Sequence, residues 1–218
     1  VVDTALLPPA LRATLASNPR VRLAHFSSDA GAVDIYVNGA LSSMTGVSFA
    51  TVTDWVNVSP GTYEIGIAPA GGEPIATVSV TAAENQWLTI VVNGSLSQGT
   101  LRMSAIPEDF SPLADGIARL SMFNAVEGSE PYNVTVDGEP VVIRLGYPGT
   151  LGNNDGYFSA NVPAGEHVIQ YVLTSKPSTV VFTLTNGTLE AGMSYLVAAA
   201  GSPGAPGVVV VPSTVPAP

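Results

Sequence analysis

Apolar and polar residues alternate along most of this chain, and the alternation is that of strands. Val33, Ile35 and Val37 are interleaved with Asp34 and Tyr36, the period of a half-buried strand. Asn38–Gly39 supplies a hairpin turn immediately afterwards. Beyond Pro60–Gly61, Tyr63, Ile65 and Ile67 repeat the pattern, and "TVSV" follows at 77–80. "WLTIVV" (87–92) breaks the alternation by being apolar throughout, as expected of a strand covered on both faces.

The order of elements then recurs. "RLAHFSSDAGAVDIYVNG" (22–39) matches "RLSMFNAVEGSEPYNVTVDG" (119–138), with two extra residues in the second copy. "VSPGTYEIGI" (58–67) matches "VPAGEHVIQY" (162–171), and "WLTIVVNGSL" (87–96) is set against "SYLVAAAGSP" (194–203). A period of roughly 100 residues means two whole domains rather than a solenoid of small units. The expected fold is all-β: two tandem immunoglobulin-like β-sandwiches with extended terminal segments. The expected divisions are an N-terminal segment at 1–19, a first sandwich at 20–104 and a linker at 105–116. A second, divergent sandwich follows at 117–201, and a Pro/Val-rich tail at 202–218.

Charge narrows the functional classes. Charged residues are 11% of the chain, against roughly 25% in an ordinary soluble domain. Seven basic residues against seventeen acidic ones leave a net charge of −10, which argues against binding nucleic acid or an anionic membrane. The absence of cysteine excludes disulfides, thiolate catalysis and Cys-held metal. No apolar run approaches the roughly 18 residues of a membrane span, so insertion into a membrane is not expected. The opening at Val1 reads as a processed N-terminus. Asn57, Asn93, Asn133 and Asn186 open Asn-x-Ser/Thr triplets, candidate glycosylation sites in an exported chain.

The residues of the first repeat also carry a family resemblance. "VRLAHFSSDAGAVDIYVNG", followed by "PGTYEIGIAPAGGEPIATVSVTAAENQWLTIVVNGSL", resembles the DUF4397 domain, a β-sandwich module of exported prokaryotic proteins. Ser28 stands where that pattern usually has proline, and Met122 occupies the place of His25 in the second copy. The resemblance implies a sandwich fold and export, while the family has no established chemistry to transfer.

His25, Asp29 and Asp34 lie within ten positions and so raise the question of a catalytic cluster. The second repeat keeps the strands and turn without the histidine, and Asp before Ala-Gly is turn chemistry, so strand, turn, strand is the preferred reading. The only other histidine, His167, lies in the second repeat within a strand pattern. With no nucleophile elbow, zinc helix or phosphate loop, no enzymatic activity and no cofactor are expected. Asn153, Asn154 and Asp155 offer oxygen atoms suited to calcium but lack the spacing of an EF-hand, and Asn/Asp before Gly more often makes a turn. No metal site is assigned. Glu127 and Glu130 read as solvated loop acids.

Two binding possibilities remain. Trp55 beside Asp54 suits a sugar-binding pair, against the plainer reading of Trp55 as sandwich filling. The apolar ends suggest assembly: Val1, Val2, Leu6, Leu7, Leu11 and Leu15 at one end, as a short helix from Pro9 to Ser17 or an extended arm, and Val208, Val209, Val210 and Val211 at the other. The valine strand can close its own sheet, act as a spacer, or complete a neighbour's sheet as a donated strand. The expectation that combines these observations is a non-enzymatic extracellular structural protein. In it a homo-oligomer or polymer is joined head-to-tail through the terminal strand into a cell-surface filament or layer. The alternative is an extracellular carbohydrate-binding or adhesion module whose partner is a polysaccharide.

Overall fold

The computed structural model describes residues 17–151 and 156–215, with the Asn186 side chain left aside. The helix expected at Pro9–Ser17 and the candidate calcium donors Asn153, Asn154 and Asp155 therefore lie outside the described residues or run beyond them. Four β-sheets make two tandem sandwiches. In the first half, an inner sheet joins β1 (Arg20–His25), β4 (Thr51–Val52), β5 (Val56–Asn57), β8 (Trp87–Asn93) and β9 (Arg102–Glu108). Its outer sheet joins β2 (Val33–Val37), β3 (Ala40–Leu41), β6 (Gly61–Pro69) and β7 (Ala76–Ala82). The second half repeats this plan. Its inner sheet holds β10 (Ile117–Asn124), β13 (Tyr157–Pro163), β16 (Met193–Ser202) and β17 (Ala205–Thr214). Its outer sheet holds β11 (Tyr132–Val136), β12 (Glu139–Leu145), β14 (Gly165–Leu173) and β15 (Val180–Leu189).

The repeat is visible in the ladders. β1 lies parallel to β8 and β10 parallel to β16, while every other named pair is antiparallel. Both hairpin turns use two left-handed residues, Asn38 and Gly39 at φ 50° and 78° and Asp137 and Gly138 at φ 53° and 86°. That is the geometry in which Asn-Gly and Asp-Gly are favoured. One sequence match shifts: Leu23 faces Ile90 and Leu120 faces Tyr195, so β8 and β16 correspond two residues away from the match of 87–96 with 194–203.

Three apolar layers hold the four sheets. Leu23, Ile35, Ile67, Ile90 and Val92 centre the first sandwich, and Leu120, Val134, Tyr171, Leu189 and Val197 the second. Between the two inner sheets runs a third layer of Ala24, Phe26, Val91, Ile106, Phe123, Leu196, Ala198 and Ala200. This seam explains the unbroken apolar run of β8: Leu88, Ile90 and Val92 enter the sandwich while Val91 meets the other half. Alanines on the facing strands let the sheets approach, and Phe26 lies 6.4 Å from Phe123, its counterpart in the repeat.

The seam also redraws the expected divisions. β9 runs on to Glu108, so the linker expected from 105 begins inside a strand, and Phe110 beyond it is buried. The tail expected from 202 is the strand β17, paired with β16 from Met193–Thr214 to Ser202–Ala205. Its valines account for their own run. Val208 packs on the second sandwich, Val209 and Val211 pack on the seam, and Val210 is exposed. The strand offered by sequence to a neighbouring subunit is thus engaged in its own chain, paired along its length with β16 and partly covered by the second sandwich and the seam.

Truncating Phe123, which is fully buried in the seam, should cost about 3–5 kcal/mol. Urea denaturation of Phe123→Ala checks this. Splitting of the single transition into two is expected as the halves uncouple.

Candidate functional site

The cluster that opened the question of catalysis is a set of loop clamps. His25 is fully buried at the end of β1. Its Nε2 lies 2.7 Å from the Gly31 carbonyl oxygen, and its Nδ1 accepts the Ser27 amide at 3.3 Å. Both ring nitrogens are occupied, and burial holds the ring below its ordinary pKa, partly offset by the Gly31 bond, so it sits neutral. Asp29 accepts bonds from the Ser95 and Ser97 hydroxyls at 2.7 Å and from the Leu96 and Ser97 amides. Those donors hold its carboxyl far below the usual carboxylate range, which makes it a poor base. Asp34 bridges two turns by accepting the Gly71 and Gly46 amides, each at 2.7 Å, and these bonds lower its pKa. Its counterpart Asn133 does the same work, accepting from the Arg144 amide and the Thr174 hydroxyl, each at 3.0 Å. Strand, turn, strand is what the structure holds.

The richer polar assembly lies on the seam and was not singled out from sequence. Arg22 projects from β1 and is 2% exposed. Its guanidinium pairs with Glu108 Oε1 at 2.6 Å, donates to Thr89 Oγ1 at 2.9 Å and reaches Ser213 Oγ of β17 at 3.2 Å. Thr89 in turn donates to the same Glu108 oxygen. Arg119, the same position in the second repeat, is equally buried and grips the connector. It donates to the Asp109 and Ser111 carbonyls at 2.9 and 3.0 Å and to Asn161 Oδ1 at 3.0 Å. The available signal was an arginine at matched positions of two apolar strands in a chain with only seven basic residues.

Trp55 belongs to this brace rather than to the sandwich interior. It meets Trp87 and Phe110 edge-on at 4.9 and 5.4 Å, and the Arg22 guanidinium lies 4.2 Å over its ring. Trp87 is itself sandwiched, with Phe110 stacked at 4.2 Å and Arg20 at 4.2 Å. Asp54 is exposed at the lip of a 340 Å³ cleft that Trp55, Trp87 and Ser213 also line. The ring face under Arg22 is closed to a sugar.

The remaining candidates divide. Asn57 is exposed, Asn133 is half-buried with its side-chain oxygen engaged, and the Asn186 side chain lies outside the description. Asn93 is corrected: it is fully buried at the end of β8, and the folded chain leaves no room for a glycan there. Glu127 and Glu130, expected to be merely solvated, accept bonds from Thr100 and Ser175 at 2.7 and 2.8 Å. His167 Nδ1 pairs with Asp137 Oδ2 at 2.7 Å, which raises the imidazole pKa. Among the described residues no three His, Asp or Glu side chains gather as a metal site.

The family model described as "Domain of unknown function (DUF4397)" matches twice, over residues 19–125 and 118–218. The chain belongs to the DUF4397 family. Both matches include the inner-sheet strands that carry Arg22 and Arg119. No curated protein matches the sequence. Among solved structures, the tip fimbrial protein Mfa3 of Porphyromonas gingivalis is similar at 9% identity and a TM-score of 0.33, over 90% of this chain and 99% of that one. The fimbrial anchor protein Mfa2 of the same organism aligns at 12% identity and 0.24, over 89% and 95%. A family CBM26 module of Eubacterium rectale Amy13K, solved with maltoheptaose, aligns at 13% and 0.28, over 91% and 98%. Similarities this distant carry no argument about function.

The two histidines should titrate on opposite sides of the ordinary value near 6.5. Burial lowers His25, whereas Asp137 raises His167. As pH falls below about 6.5 the unfolded chain takes up a proton at His25 that the folded chain refuses, so this residue erodes stability in acid. The His167 contribution is fully present below about 6.5 and fades as pH rises through its raised folded value. Imidazole NMR titration checks both, and Asp137→Asn should return His167 toward 6.5. Removing Arg22 alone (Arg22→Ala) should cost about 3–5 kcal/mol by stranding Glu108, while the paired change to Arg22→Met and Glu108→Leu should cost much less in the same melt.

Proposed function

We propose that this chain is a non-enzymatic structural or adhesive unit of an extracellular layer or filament, in which two sandwiches act as one rigid block. The observation that carries the reading is the seam. An apolar layer between the inner sheets and two buried arginines make the halves a single four-layer body. The polar residues that suggested chemistry are consumed in holding loops, as His25, Asp29 and Asp34 illustrate. A rigid, weakly charged body with its polar groups used internally suits load-bearing or spacing at a surface better than turnover. Because β17 is already paired with β16, it is not a strand free to be donated, although it remains the edge of its sheet.

A carbohydrate-binding reading has the cleft beside Trp55 and Asp54 in its favour and the Arg22 cap against it. It predicts saturable binding of a soluble glucan, lost in Trp55→Ala.

Electron microscopy of the full chain, paired with thermal melting of a chain lacking 205–218, tests the structural reading. Ordered sheets or filaments are expected from the full chain, and loss of the cooperative melt from the truncated one. A full chain that stays dispersed at every concentration overturns the assembling unit. A truncated chain that melts like the intact one but no longer assembles restores the donated strand.

A further inference from the structure

The two halves share a frame but not a filling. Ala82 faces Gly61 in the first half, where Leu189 faces Gly165 in the second. Ile90 faces Leu23, where Tyr195 faces Leu120. Ala76 faces Ile67, where Phe182 faces Tyr171 and stacks on it at 4.4 Å. At these three positions, Ala82, Ile90 and Ala76, the first half carries the smaller side chain, whereas Ile35 against Val134 runs the other way. The first half's frame does not close to compensate on the β2 side, since β6 and β14 are each nine residues long and pair with β2 and β11 in the same register. Toward β15 the second half carries two bulges that the β6–β7 ladder lacks.

A cavity of 160 Å³ lies between the sheets of the first half, and two of the smaller residues, Ala82 and Ile90, line it. Its walls include Ile35, Val37, Ile65, Val80, Ala82 and Ile90. Arg22 borders it only through the strand, because the guanidinium is engaged on the seam. The Tyr63 hydroxyl donates to the Ser59 carbonyl at 2.6 Å and is thereby satisfied. No charge reaches the interior to reward a polar guest. Apolar cavities of about 150 Å³ in other proteins stay dry and take up benzene or xenon.

The covering segment also differs between the halves. In the second half β12 and β13 are seven residues each, whereas the corresponding stretch of the first half has only two-residue strands, β3, β4 and β5. The mouth lies there, between Ser42–Met44 and Val56–Val58, with Ser43 and Val56 exposed. Met44 hangs on two backbone bonds, its carbonyl accepting the Ile35 amide at 2.9 Å and its amide donating to Ser42 Oγ at 3.1 Å.

We propose that the first half binds a small apolar ligand, a single aromatic ring or a short alkyl chain, between its sheets, entering past Met44. The serines at the mouth are where a polar end of such a ligand would stay in water. This goes beyond the structural reading and holds whether or not the chain assembles.

Benzene, added to the full chain, should raise its melting temperature by about 3–6 °C at roughly ten times its dissociation constant. Ala82→Leu, which copies Leu189 of the second half, should abolish that rise. Xenon-pressurised crystals of the unmodified chain should show a peak among Val37, Ile65 and Ala82, which locates the site even if the variant fails to fold. Hexanoate separates the sources of the ligand. A rise that is again lost in Ala82→Leu assigns an acyl chain, and no rise assigns an uncharged hydrocarbon. The proposal is overturned if benzene leaves the melt unchanged and xenon is absent from the cavity, or if the rise survives Ala82→Leu with xenon bound elsewhere. It is also overturned if only a chain lacking residues 1–16 responds, since the chain's own N-terminal segment would then be the occupant.

Discussion

A guanidinium taken out of water must be met by partners, and Arg22 finds them on three separate strands. Glu108 on β9 neutralises it, Thr89 on β8 bridges the two, and Ser213 reaches it from β17 of the other half. An unpaired charge at this depth would be strongly destabilising, so the three strands are tied to one geometry. Arg119 repeats the device on the connector, holding the Asp109 and Ser111 carbonyls. The apolar seam supplies the larger share of the attraction, but apolar contact is non-directional. Arg22, through Ser213, adds a directional bond between the halves, and Arg119 fixes the connector that joins them.

Within the joined block, each half keeps the frame and varies the contents. The hairpin turns are interchangeable, Asn38 accepting the Glu64 amide as Asp137 accepts that of Val168. Asp34 and Asn133 perform one task with different charge. The first turn is organised by a buried neutral histidine, whereas in the second Asn124 accepts the Val126 amide and donates to the Leu145 carbonyl. Conserved geometry with exchanged chemistry identifies the polar groups as scaffolding. The divergence in side-chain size matters more, because Ala82 and Ile90 line a cavity in the first core where the second carries Leu189 and Tyr195.

Much of the frame was legible in the sequence because period-two alternation and Asn-Gly turns are local signals. Val33–Val37, Gly61–Pro69 and the repeat itself followed from them. What stayed hidden depends on contacts between distant residues. The run at 87–92 announced burial on both faces without saying that the second half provides one of them. The valines at 208–211 announced a strand without its partner, since a sheet edge in the same chain and one in a neighbour present identical hydrogen-bonding groups. Trp55 looked like a sugar platform because nothing local shows that Arg22, thirty-three positions earlier, lies over its ring. The cavity is a deficit, visible only once ladders pair Ala82 with the place Leu189 fills.

The bond from Arg22 to Ser213 spans 191 positions of the chain. Closing so long a loop carries a heavy entropic cost, and contacts of this range slow folding. During synthesis the strand that covers the edge of the seam is made after every other strand of the block. Until residue 213 is available, Arg22 lacks one of its partners and the inner sheets present apolar faces without their final cover. The two-sandwich block is therefore completed by its last strand, and a chain halted short of β17 leaves exposed the apolar face that this strand covers.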